Sequence, residues 1–185
     1  MQFGIGSGIA APLFAVSSGQ VNFQVPWELA NQSTAPLSVT VNGQSGPALA
    51  VNLSPFAPGI FTMNGQGTGQ GAVLDTSYRL VNASNPATAG SSVIQIYCTG
   101  LGSVSNQPAT GSPGLSDPLS WTVTTPSVTI GGVAAQVVFS GLAPGAVGEY
   151  QLNVVVPAGS SKGDAVPVAI QIVGFTSNTA TIAVQ

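Results

Sequence analysis

Apolar residues recur along this chain in short bursts at every second position, separated by Gly, Pro, Asn and Ser. No window free of Gly and Pro holds the helical spacing i, i+3, i+4, i+7. Alternation of period two sends one side chain to a buried face and the next to solvent, so each burst predicts a strand. Ten such stretches stand out: 21–25, 37–41, 48–53, 71–74, 93–97, 127–130, 135–139, 150–156, 166–172 and 179–184. Many short strands with turn residues between them and no intervening helices predict antiparallel β-sandwiches. Asn42-Gly43, set between two bursts, predicts a tight hairpin, because both central residues of a type I′ turn need positive φ.

The pattern repeats itself. Shifting 20–53 by 131 positions lands it on 151–184 without a gap, and Gln20, Asn22, Val25, Pro26, Pro36 and Gly43 meet Gln151, Asn153, Val156, Pro157, Pro167 and Gly174. Most other strand positions exchange one apolar residue for another. Upstream, GIAAPLF at 8–14 resembles GVAAQVVF at 132–139 after a seven-residue adjustment that falls in a loop. Two copies of one β-unit account for this. The second copy has a long approach containing APGIFT, GAVLDT, SSVIQIYCTGLG and PLSWTVTTPSVTIGG, all able to supply sheet partners; the first has only residues 1–8 in front of it. The first copy therefore either borrows strands from the chain after residue 55 or is short of a strand that something else provides. The expected architecture is all-β, with two immunoglobulin-like antiparallel β-sandwich units. Residues 1–55 form an incomplete repeat, and 56–185 a complete repeat with a strand-rich N-terminal extension.

Charge is scarce. The charged side chains among the 185 residues are Glu28, Asp75, Asp117, Glu149, Asp164, Arg79 and Lys162, or 4%, against roughly 25% in ordinary soluble domains. Two basic residues cannot supply the phosphate-neutralising contacts that dominate nucleic-acid affinity, so nucleic acid is excluded as an expected partner. A net charge of −3 repels other copies only weakly, and self-association is easy for such a surface. No apolar run approaches the roughly 18–20 residues of a membrane-spanning helix. The opening MQFGIGSGIAAPLFAVSSG has no basic start and is broken by Gly and Pro, so it reads as mature structure. An exported protein would carry its signal or precursor segment outside this sequence. The single cysteine, Cys98, rules out an internal disulfide and reads as a small buried hydrophobe.

Catalytic signals are weak. The chain has no His, the usual general base and the commonest metal ligand. A Ser-Lys arrangement would depend on Lys162, which lies in the turn-like stretch GSSKGD where a depressed lysine pKa is not expected. The five carboxylates are scattered singly, without the clustering that calcium or a glycosidase pair requires. GQGTGQG at 65–71 lacks the Lys and the helix of a phosphate-cradling loop and reads as a flexible hairpin tip. Sequons at Asn31, Asn52 and Asn82 are the sort a Ser- and Asn-rich chain forms by chance. Trp27, Trp121, Tyr78, Tyr97 and Tyr150 are dispersed and read as core or inter-sheet residues more readily than as a polysaccharide platform. No catalytic residue, metal ligand or cofactor is expected.

Several stretches carry a family resemblance: APLFAVSSGQVNFQVPWEL (11–29), APGIFT (57–62), GQGAVL (69–74), NPATAGSSVIQIYCTGLG (85–102) and VTIGGVAAQVVFSGLAPGAVGEYQLNVVVPAG (128–159). In these the chain resembles the uncharacterised Solibacter-type C-terminal domain of large secreted proteins of Acidobacteria. That resemblance implies an extracellular, immunoglobulin-like β module without established catalytic residues. Two departures stand out: the stretch before APLF is shorter than in such modules, and Cys98 sits where a small residue such as Ala is expected.

Together these features point to an extracellular structural protein, a subunit of a surface filament or pilus-like homopolymer in which a strand of one copy completes the sheet of the next. The terminal segments 1–14 and 176–185 are the candidate donors, through Phe3, Ile5, Ile9, Leu13, Phe14, Ile182 and Val184. The alternative is a non-catalytic binding or spacer module of a larger secreted protein, with polysaccharide as a possible partner.

Overall fold

The computed structural model describes residues 1–4 and 8–185. Among these, the regular structure is almost entirely strand, every ladder between named strands is antiparallel, and the one helical element is the 3-10 turn Trp27–Leu29. The fold class is the expected one: all-β, of antiparallel sandwich type. Among the described residues no helix is long and apolar enough to cross a membrane.

The chain forms two compact units, one of residues 1–55 with 108–113 and the other of 56–107 with 114–185. Segment 108–113 was expected to travel with the second unit. It belongs to the first because its polar groups meet partners there. The Gly111 N–H donates to Gln24 Oε1 at 2.8 Å. Thr110 Oγ1 accepts from the Trp27 N–H at 3.1 Å and donates to the Glu28 carboxylate at 2.7 Å.

The first unit contains β1 (Gln2–Phe3), β2 (Ile9–Ala10), β3 (Leu13–Val16), β4 (Val21–Phe23), β5 (Thr34–Ser38), β6 (Thr40–Val41), β7 (Gln44–Ser45) and β8 (Leu49–Asn52). They make a four-stranded sheet in the order β2-β1-β5-β8, a β3–β4 ribbon and a β6–β7 hairpin. Its core is small: Phe3, Ala11, Leu29 and Ala35, with Met1, Ile9, Phe23, Leu37 and Leu53 partly buried against them.

The second unit contains β9 (Gly59–Ile60), β10 (Val73–Asp75), β11 (Val93–Thr99), β12 (Ser127–Ile130), β13 (Val133–Leu142), β14 (Tyr150–Val155), β15 (Gly163–Ile172), β16 (Phe175–Thr176) and β17 (Ala180–Val184). Its sheet path runs β10-β11-β14-β13-β12-β15-β16, with β9 also beside β11 and β17 beside β15. The path turns over within β13, whose first half pairs with β12 and whose second half pairs with β14. Ile94, Ile96, Leu152 and Val154 from one side of that turn and Val128, Ile130, Val168, Ile170 and Ile182 from the other are all essentially inaccessible.

The repeat is present in three dimensions with its register intact. In β5–β8, Ala35, Pro36 and Leu37 face Val51, Ala50 and Leu49; in β15–β17, Val166, Pro167 and Val168 face Ile182, Thr181 and Ala180. The two hairpins match likewise, Thr40 to Ser45 and Val41 to Gln44 against Gln171 to Thr176 and Ile172 to Phe175. Even an irregularity is shared. The register slips between Leu13 and Ala15 opposite Phe23 and Asn22, and again between Val137 and Phe139 opposite Val154 and Asn153. Gly4, at φ 99°, donates its N–H to the Pro36 carbonyl as Gly131, at φ 61°, does to Pro167.

Candidate functional site

Because the units are copies, the second shows what surrounds each position of the first when the sandwich is complete. There β14 runs between β13 and β11, with Ile94, Ile96 and Cys98 opposite Val154, Leu152 and Tyr150. The Val156 N–H continues the ladder to the Ser92 carbonyl at 2.9 Å, and the Val156 carbonyl accepts from the Gly90 N–H at 2.9 Å. In the first unit β4 occupies the place of β14, but among the described strands only β3 lies beside it. The Gln24 N–H reaches the Pro12 carbonyl and the Gln20 carbonyl accepts from the Ser17 N–H, so the even-numbered residues turn toward β3. Antiparallel ladders alternate, which leaves the N–H and C=O groups of Val21, Phe23 and Val25 on the open edge. No Lys, Glu or Asp lies within residues 20–26, and the first Pro comes at 26, so this edge lacks the usual guards against pairing.

The side chains tell the same story. Val25 is 48% exposed where Val156 is 0%, Val39 38% where Ile170 is 0%, Val41 64% where Ile172 is 2%, and Leu49 67% where Ala180 is 0%. Sequence makes these positions equivalent, so their different burial comes from what covers them. A groove of about 580 Å³ lies along the uncovered face, lined by Leu13, Val16, Val21, Val39, Val41 and their neighbours. Among the described strands only β5 lies beside β8, whereas its counterpart β17 also exchanges hydrogen bonds with 69–71 and Ala87. Trp27 Nε1 is the one buried side-chain polar atom without a hydrogen-bond partner among the described residues. Trp27 stands at the position of Ala158, which Gly90 approaches closely on the way into β11.

The donor candidates lie as follows. Phe3 is a core residue of β1, flanked by β2 and β5, and its ring packs 5.9 Å from that of Phe23. Ile9 is half-buried in β2, while Leu13 and Phe14 are about half exposed on β3. Ile182 and Val184 are buried in β17. Ile5 lies outside the described residues. As donors, Phe3, Ile182 and Val184 would have to leave cores they already fill. The chain ends carry the sequence signals for a donor, whereas the bare positions lie elsewhere: the outer backbone groups of Val21, Phe23 and Val25 and the side chains of Val25, Val39 and Val41. The repeat alignment was the signal that could have found them, by asking what covers each aligned position.

The reactive side chains are held in structural roles. The Asp75 carboxylate accepts from the backbone N–H of Arg79 and of Ser77, from Asn85 Nδ2 and from Arg79 Nε, with Arg79 Nη2 at 2.8 Å. The backbone bond from Arg79 leads in holding it well below the usual carboxylate range. A hollow of about 220 Å³ beside it is lined by the same Asp75, Arg79 and Asn85, which bond to one another there. The hydrogen bond from Thr110 lowers the pKa of Glu28, and burial raises that of the half-buried Glu149. Cys98 is fully buried, which pushes its thiol up, away from thiolate chemistry. Tyr150 is buried with its hydroxyl donating to the Gly102 carbonyl.

The glycine loop 65–71 departs from the flexible tip expected of it. Asn178 Nδ2 donates to the carbonyls of Ile60 and Gly67 at 3.0 and 2.8 Å, its Oδ1 accepts from the Ile60 N–H, and Gly69 and Gly71 bond to Thr181. No family model matches this chain, and neither a curated protein nor a solved structure matches it.

Proposed function

We propose that the protein is an extracellular structural subunit of a surface filament or pilus-like homopolymer, held together by a strand that each copy contributes to the first unit of a neighbour. The observation that carries this reading is the open edge of β4 beside apolar positions that stay exposed, when their copies in the second unit are buried. An inserted strand that buries three or four apolar side chains at roughly 1.5–3 kcal/mol each contributes about 5–10 kcal/mol. That rivals the whole stability of an ordinary domain, about 5–15 kcal/mol. The low charge of the chain supports close packing of copies. The resemblance to secreted Solibacter-type domains supports an extracellular setting. Addition in one direction around an open-ended contact does not close, so it builds a fibre.

Electron microscopy of the native material, with light scattering of the purified chain, tests this. Filaments that withstand mild denaturant are expected. A chain that stays monomeric at high concentration would sink the reading, and would favour a spacer module whose missing strand comes from its own longer polypeptide.

A further inference from the structure

The second unit specifies the chemistry of the strand that the first unit takes. We infer that the open edge of β4 is a docking site for one extended segment, running antiparallel to it and carrying apolar side chains at three alternate positions. This rests on the reading above only for the supplier, which in the homopolymer is a neighbouring copy.

The register follows from the duplication. In the second unit the occupant is 92–99, with Ile94, Ile96 and Cys98 inward and Gln95 and Tyr97 between them. Moving β14 onto β4 by 131 positions puts those three inward residues opposite Phe23, Val21 and Gly19. An occupant of the same form directs its backbone to the N–H and C=O groups of Val21, Phe23 and Val25, and its inward side chains to the groove beside Val39 and Val41. Gly19, which has nothing within 4 Å of where a Cβ would stand, leaves room for the last of them. The polarity is fixed too: the start of the occupant lies beside Val25 and Trp27, where an indole N–H waits unpaired.

The test uses the full chain, dissociated and held below the concentration at which it assembles. It is mixed with the peptide SVIQIYCT of residues 92–99, carrying Cys98→Ala to prevent oxidation, or with a peptide of the same composition whose apolar residues no longer alternate. Amide hydrogen exchange is read at β4. The alternating peptide is expected to slow exchange at Val21, Phe23 and Val25 by roughly tenfold or more, and the shuffled one to leave it unchanged. No slowing in a chain whose β11 and β14 amides stay protected, or equal slowing by both peptides, overturns the inference. A chain that is monomeric at every concentration yet takes the peptide at β4 upholds it and removes the homopolymer reading. Native filaments whose β4 amides exchange freely overturn it and leave the polymer standing.

Discussion

Val173 holds φ 46° at the tip of the β15–β16 hairpin, a left-handed conformation that a β-branched residue adopts only with strain. The copy in the first unit solves the same turn with Asn42 at φ 51°, followed by Gly43 as Val173 is by Gly174. Val173→Asn is therefore expected to stabilise the second unit by about 0.5–1 kcal/mol, read as a raised denaturant midpoint at constant slope. Glu149 gives a prediction of opposite character. Burial raises its pKa, so the folded state holds a proton that the unfolded chain has already lost. Stability then falls as pH rises from the ordinary value of 4.5 through the raised one, and stays lower above it. Glu149→Gln should remove that fall and leave the protein more stable near neutrality in pH-dependent thermal unfolding. Asp75 and Glu28 act in the other direction. Their lowered values stabilise the fold above the usual carboxylate range, and that support is lost as pH falls below it, so Asp75→Asn should flatten the acid limb.

Equivalent strands in unequal surroundings allow a controlled comparison. Ile172→Ala opens a cavity in a closed core and is expected to cost about 2–5 kcal/mol in the dissociated chain. Val41→Ala removes a side chain from an exposed position and should cost under about 0.5 kcal/mol there, yet weaken the polymer proposed above. Equal costs in the dissociated chain would mean that Val41 is already covered without a partner. At this scale the sequence was informative wherever alternation ran for four residues or more, and each of the ten expected stretches falls on a strand. In β1, β2 and β3 the alternation is too short to predict a strand, and only the likeness of 8–14 to 132–139 points to pairing there. The sequence was silent on 108–113. PATGSP reads as an ordinary turn, and the groups that Thr110 and Gly111 meet lie more than eighty positions away.

For the whole molecule, the consequence is uneven stability. Among the described residues, the first unit has four buried apolar residues at its centre and the second more than twenty. Calorimetry of the dissociated chain is expected to show two transitions, the first unit melting at the lower temperature, and the assembly proposed above should raise that transition toward the other. A single sharp transition before assembly would show that the first unit needs no supplement. Sequence could reveal the deficit, because a duplicated unit displays what its sibling lacks. The edge that bears it is seen in the flanking strands: β14 lies between β13 and β11, whereas among the described strands only β3 lies beside β4.

The clasp at 108–113 bears on any attempt to take the molecule apart. Since the polypeptide leaves the first unit after residue 55, returns at 108 and departs again after 113, the two units are joined by three covalent crossings. A gene fragment that stops at residue 55 would strip Gln24, Trp27 and Glu28 of Thr110 and Gly111. Dissection therefore has to graft that hexapeptide back, or it will report the frailty of the cut in place of the behaviour of the unit.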